Sequence, residues 1–162
     1  MTRRRSTAIS PPLRSAVLSV VVIGSYREDL AGLLDFAQRL IGLGLQVLHP
    51  PPQARSIGED FGFVRLDCDR SRDPGRIQRR VFSLIDQADA VILYSPSGRI
   101  GISAAMEIGY ALRARRRILA TSPPQDLTIR TLIRYQPEAL TKFLRAAAVS
   151  DDTSGHAKHP VS

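Results

Sequence analysis

The sequence predicts an α/β domain, Rossmann-like or flavodoxin-like, with a parallel sheet of four to five strands and helices on both faces. Three observations carry that prediction. Short β-branched apolar runs, "AVLSVVVIGS", "AVILYSP" and "RRILATSPP", recur along the chain. They are continuously apolar rather than alternating, which marks strands buried on both faces. Segments of helical period separate them through short links, the arrangement that sets parallel strands side by side. With 162 residues, 43% of them hydrophobic and 23% charged, the chain is long enough to bury one such core without disulfides.

Residues 1–14 are basic and interrupted by proline, and are expected to form a disordered arm before a domain spanning 15–148. The first strand lies in "AVLSVVVIGS" (16–25). A basic stretch followed by an apolar run resembles a secretion signal. The intervening proline pair and the charged helix start beyond Gly-Ser instead favour a buried strand, and a cytoplasmic chain is expected. In "YREDLAGLLDFAQRLIGLG", Leu30, Leu33, Leu34, Ala37, Leu40 and Ile41 share one helical face. Acids lead its first turn, and Gly42 and Gly44 end it. "LQVLHP" (45–50) is a second strand, stopped by three prolines. Residues 51–73 carry no clear period, and "FGFVRLDCD" fits an edge strand or a loop. "PGRIQRRVFSLIDQAD" (74–89) reads as an amphipathic helix through Ile77, Val81, Phe82 and Ile85. The third strand is "AVILYSP" (90–96), "GISAAMEIGYALRA" is the next helix, and residues 117–121 form the fourth strand. A last helix is expected from Pro137 to about Ala148, followed by a flexible polar tail, 149–162.

The formal charge of +8 comes almost wholly from arginines spread along the chain. There is no zinc-ligand spacing, no helix-turn-helix pattern, and with aromatics at 6% little on which to stack bases. These features favour a solvated arginine-rich surface over polynucleotide binding. No stretch approaches the roughly 20 apolar residues that span a bilayer, so no membrane partner is expected. The single Cys68 has no internal disulfide partner, in keeping with a reducing compartment.

Parallel sheets bind ligands at the carboxyl ends of their strands. That rule selects Gly24, Ser25, Tyr26 and Arg27 after the first strand and His49-Pro50 after the second. Tyr94, Ser95 and Pro96 follow the third strand, and Thr121-Ser122 the fourth. Asp89 sits at the opposite rim and reads as structural. Gly24-Ser25 at a strand-to-helix turn, with Arg27 beyond, suits an anion, although Ser25 is equally placed to cap the helix. The glycine density of a nucleotide-binding loop is lacking. The densest patch is "SPSGRIGISAAMEIGYAL" (95–112), where Gly98 and Gly101 mark a turn. Ser103, Glu107 and Tyr110 follow at spacings of four and three on one helical face. Glu107 is the only carboxylate in a run of small and apolar residues. A buried, unpaired carboxylate is costly, so it is either satisfied by a neighbouring loop or kept for chemistry.

"ADAVILYSPSGRIGISAAMEIGYAL", preceded by "VVIGSYRE", resembles the nucleoside 2-deoxyribosyltransferase family and its relatives that hydrolyse nucleoside 5′-monophosphates. The likeness covers about residues 17–121. It implies that Glu107 is the nucleophile that attacks C1′ of the sugar and displaces the base. The covalent glycosyl-Glu107 intermediate then passes the sugar to a second base or to water. It further implies that Gly24, Ser25 and Arg27 form the loop that helps hold a 5′-phosphate, that no cofactor or metal takes part, and that the chain forms a homo-oligomer, a dimer or larger. Tyr26 and Tyr94 are placed to flank base or sugar, and Gly98, Gly101, Ser103 and Tyr110 to line the substrate pocket. Two positions depart from the family pattern. The aspartate expected on the helix before the third strand is Val81, and the one that some transferases carry six residues before the nucleophile is Gly101. The proton for the departing base must then come from Asp67, Asp69 or Asp73 in the irregular loop, or from a neighbouring chain. The alternative is a catalytically silent nucleotide-binding or sensor module of the same fold.

Overall fold

Val20, Val21, Val22 and Ile23 are all shut off from solvent, as the unbroken apolar run requires. In the computed structural model, which describes residues 17–152 and side chains as far as residue 148, they belong to β1 (Ser19–Gly24). Each such side chain contributes roughly 1.5–3 kcal/mol by leaving water. α1 (Tyr26–Gly42), β2 (Gln46–His49), the β3–β4 hairpin (Ser56–Asp60 and Phe63–Leu66) and α2 (Pro74–Gln87) follow. β5 (Ala90–Tyr94), α3 (Ile102–Arg113), β6 (Arg117–Ala120), α4 (Leu127–Leu132) and α5 (Ala139–Asp152) complete the described chain.

The main sheet has four parallel strands in the order β2-β1-β5-β6. This is the flavodoxin-like order, in which the chain builds outward to one side of β1 and then crosses to the other. Successive side chains of a strand point to opposite faces, and the core divides accordingly. Val21, Ile23, Val91 and Leu93 pack with Val81 and Ile85 of α2 and Ile108 and Ala111 of α3. Val20, Val22, Ala90 and Ile92 pack with Leu33, Ala37 and Leu40 of α1 and Phe143 and Ala147 of α5. Helices thus cover both faces, as expected. Asp89 at the amino rim accepts the Ser19 amide at 2.7 Å and the Ser19 hydroxyl at 2.9 Å, and ties α2 to the start of β1.

Three features depart from the sequence reading. Within residues 51–73, β4 falls in the "FGFVRLDCD" stretch for which an edge strand was one of two readings, but it pairs outside the main sheet with the unexpected β3, Ser56 opposite Leu66 and Asp60 opposite Phe63. Four of the five residues of β3 are exposed, so it has no apolar alternation to reveal it. The short helix α4 was not expected; Asp126 caps it through the Ile129 amide. The last helix starts two residues later than expected and continues through residues 149–152, into the segment expected to be tail. The expected arm, and the tail from residue 153 onward, lie outside the described residues.

Candidate active site

Chain connections leave β1 and β5 in opposite directions across the sheet, and their carboxyl ends therefore border an open crevice. A cavity of about 680 Å³ lies there, within the range of small-molecule sites. Gly24, Ser25 and the first two turns of α3 form one side. The tip of the β3–β4 hairpin, from Phe61 to Val64, and Ile77, Gln78 and Val81 of α2 form the other.

Glu107 lies in this cavity, 8% exposed. Small Ala104 one turn earlier leaves room beside it, and α2 brings Gln78 across from the facing helix. The Gln78 side-chain amide donates to Oε1 at 2.8 Å, and Oε2 has no hydrogen-bond partner among the described residues. Burial pushes the Glu107 carboxyl up to about 7, and the Gln78 hydrogen bond holds it lower than burial alone would. A carboxylate with one anchored oxygen, one free oxygen and a value near neutrality is poised for proton or nucleophile chemistry.

Beside it, the Tyr26 phenol and Nε2 of His49 share a hydrogen bond of 2.8 Å. Burial, followed by the nearby charges of Glu107 and Asp69, holds the Tyr26 phenol well above its ordinary value. Burial, and then the Arg80 charge, pushes His49 down to about 4. Both groups are therefore uncharged at neutral pH. Of the three aspartates in the loop before α2, only Asp69 reaches the cavity, with Oδ2 accepting the Leu66 amide at 2.8 Å. Asp67 accepts the Arg55 amide and Asp73 caps α2 through Gly75. Val81 and Gly101, the two positions at which acids were expected from the resemblance, both line the cavity and supply none.

Ser25 stands at the cap position of α1 but makes no side-chain cap bond; its hydroxyl lies near Gly101. Asp29, at a non-helical kink four residues on, instead accepts the Gly32 amide at 2.9 Å. Gly24 is required by its neighbours, since a Cβ there would sit 2.5 Å from the Tyr94 carbonyl oxygen. Arg27 reaches the cavity but pairs with Glu59 of the hairpin at 2.9 Å. Arg99, also at the cavity, has no ion pair among the described residues. With Ser103 and the uncapped start of α3 it forms the cationic side of the site.

The structure brings Gly24, Ser25, Tyr26, Arg27, Gly101, Ser103 and Glu107 to one cavity and leaves three expected residues out. Tyr94 points to the opposite face of the sheet, where its hydroxyl donates to Asp29 at 2.8 Å and its ring meets Phe36. Gly98 lies in a turn at φ 79°, and a Cβ there would come within 2.6 Å of the Pro123 carbonyl. It shapes the loop rather than the pocket. Tyr110 shares the helical face of Ser103 and Glu107 but lies seven residues, about 10 Å, beyond Ser103 along α3. There it stacks on Phe82 and donates to Asp86 at 2.6 Å. Gln78 escaped the sequence reading. Its one local signal is a polar residue next to Ile77 on the buried stripe of α2.

Among the described residues, no cluster of three or more His, Cys, Asp and Glu side chains is arranged to hold a metal ion. No helix among them is long and apolar enough to cross a membrane. No protein-family model matches the chain, and no curated protein sequence does. Two solved structures are similar to it. A conserved protein from Enterococcus faecalis V583 aligns with a TM-score of 0.58 at 15% identity, over 81% of this chain and 99% of that one. The Clostridium botulinum CMP N-glycosidase BcmB aligns with a TM-score of 0.50 at 13% identity, over 81% of this chain and 98% of that one. At such identities the likeness is one of fold.

Proposed function

We propose that this chain cleaves the N-glycosidic bond of a nucleoside or nucleoside 5′-monophosphate, with Glu107 as the nucleophile. The observation that carries the reading is the buried Glu107 carboxylate, anchored by Gln78 through one oxygen and free at the other, at the crevice between β1 and β5. The fold it shares with a CMP N-glycosidase supports the reading, as does the family resemblance of residues 17–121.

In this mechanism Oε2 of ionised Glu107 attacks C1′ as the bond from C1′ to the base nitrogen breaks, and that bond's electron pair leaves with the base. Water or a second base then attacks C1′, and the ester to Glu107 breaks to restore the carboxylate. The cationic side of the cavity, with Arg99, Ser25, Ser103 and the start of α3, holds the 5′-phosphate. The apolar side, with Phe63, Ile77 and Val81, receives the base. Asp69 and the Tyr26 hydroxyl, which also line the cavity, are candidates to meet the leaving base.

A second reading has its own observation. Val81 occupies an acid position of the family and faces the cavity, which favours a silent module that binds nucleotide without cleaving it.

Chromatography of reactions with a panel of ribo- and deoxyribonucleosides and their 5′-monophosphates separates the two. Free base released by the wild type and not by Glu107→Gln is the expected result, and a new nucleoside in the presence of a second base marks transfer rather than hydrolysis. Nucleotide binding without base release from any member of the panel overturns the enzymatic reading in favour of the silent module.

A further inference from the structure

The segment "RLDCDRSRD" (65–73) reads in sequence as a neutral, solvated run, its arginines and aspartates equal in number. The structure separates them. Asp67 is committed to the Arg55 amide, Asp69 to the Leu66 amide, and Asp73 to the Gly75 amide at the start of α2. Arg70 and Arg72 carry no ion pair or hydrogen bond among the described residues. Together with Arg65, Ser71, Ile57 and Asp69 they line a cleft of about 480 Å³. Arg65 projects from β4 with its side chain 23% exposed and pairs with Asp60 at 3.3 Å, yet its Nε is shielded from solvent with no acceptor. The Ser71 hydroxyl accepts the Asp73 amide at 3.1 Å and keeps its own hydrogen to donate.

We propose that this cleft is an anion site for a phosphoryl group, separate from the Glu107 cavity and bordering it through Asp69. Arg70 and Arg72, both without a partner among the described residues, line one recess with Arg65 and the Ser71 hydroxyl, and supply the charge and donors that phosphate oxygens take, which arginine bonds in pairs. The Asp69 carboxylate also lines the cleft, but one of its oxygens is held by a backbone amide, and the lining remains net positive. The group arrives on a free phosphorylated anion or as the terminal phosphates of a nucleotide seated next door, since Asp69 lines both recesses.

The test is calorimetric titration of the full chain with inorganic pyrophosphate, a nucleoside monophosphate and the matching triphosphate at fixed ionic strength. Wild type is compared with Arg70→Gln/Arg72→Gln and with a control pair, Arg113→Gln/Arg115→Gln, which removes the same charge from exposed positions at the end of α3. Each charge-assisted hydrogen bond lost costs roughly tenfold in affinity. The cleft pair is therefore expected to weaken pyrophosphate binding by about a hundredfold, with the control pair close to wild type. Pyrophosphate binding that survives Arg99→Gln identifies a free anion as the occupant. A preference for triphosphate over monophosphate that vanishes in the cleft pair identifies the nucleotide's own phosphates. Equal losses in the cleft and control pairs, or no dependence of pyrophosphate or triphosphate binding on the cleft pair, overturn the proposal and leave only the diffuse field of a cationic surface. Because the cleft is assayed by binding, the result is independent of whether Glu107 cleaves anything.

Discussion

Replacing Glu107 with glutamine removes a titratable group and keeps its shape, and the structure sets the size of the effect. The side chain is 8% exposed, and burial moves its carboxyl from 4.5 to about 7. A carboxyl raised in the folded state binds its proton more tightly there than in the unfolded chain. The stability it contributes is complete below pH 4.5 and is lost as pH rises through about 7. At about 1.36 kcal/mol per pH unit, the wild type forfeits about 3 kcal/mol across that window, and Glu107→Gln forfeits none. The glutamine can still accept from Gln78 through its carbonyl oxygen. The two proteins should therefore unfold alike near pH 4. At pH 8 the variant should be more stable by about 3 kcal/mol, which for a domain of this size raises Tm by roughly 6–12 °C. Urea and thermal unfolding at half-unit steps from pH 4 to 8, at constant ionic strength, measure the difference directly. A stability gap that stays flat across the series, or a variant less stable than wild type at pH 8, refutes the claim that Glu107 is held ionised at a cost. The same variant should release no base from any nucleotide that the wild type cleaves.

Three further outcomes follow from the site. The kcat/KM profile for base release should rise through about pH 7 as Glu107 ionises. Gln78→Leu, which withdraws the donor from the carboxylate, should carry that limb upward by about one pH unit; an unmoved limb means that another group controls it. His49, held neutral by burial down to about 4, should contribute a loss of stability as pH falls from 6.5 toward 4, opposing the gain from Glu107 over nearly the same range; His49→Gln should remove that contribution, so that the variant gains on the wild type as acid melts go from pH 6.5 to 4. Tyr94→Phe should lower stability by about 1 kcal/mol through the lost Asp29 hydrogen bond. It should leave KM for any cleaved nucleotide unchanged, and a raised KM would return Tyr94 to the pocket.

The strands and most helices were legible because their signals are local. Four consecutive buried residues in β1 and the helical period of α1 and α2 need no knowledge of the rest of the chain. Glu107 stood out for the same reason, as an acid in an apolar helix; the rule that parallel sheets bind at their carboxyl ends selected Ser25, and the small-residue turn before the helix marked Gly101. β3 stayed hidden because four of its five residues are exposed and carry no buried pattern to read, whereas β4 lies in the stretch that fitted an edge strand or a loop.

What tertiary structure alone decided is which surfaces face which. Strand parity states that Leu93 and Tyr94 point to opposite faces of the sheet, but only the crossing of the chain puts α3 and Glu107 over one face and α1 and Asp29 over the other. Gln78 and Glu107 lie 29 positions apart, and no local rule joins them until α2 and α3 pack side by side. The partition of "RLDCDRSRD" into amide-bound aspartates and the unpaired Arg70 and Arg72 arises in the same way. A side chain's propensity is written in its own neighbourhood, whereas its partner is set by whatever the fold brings within about 3 Å of it.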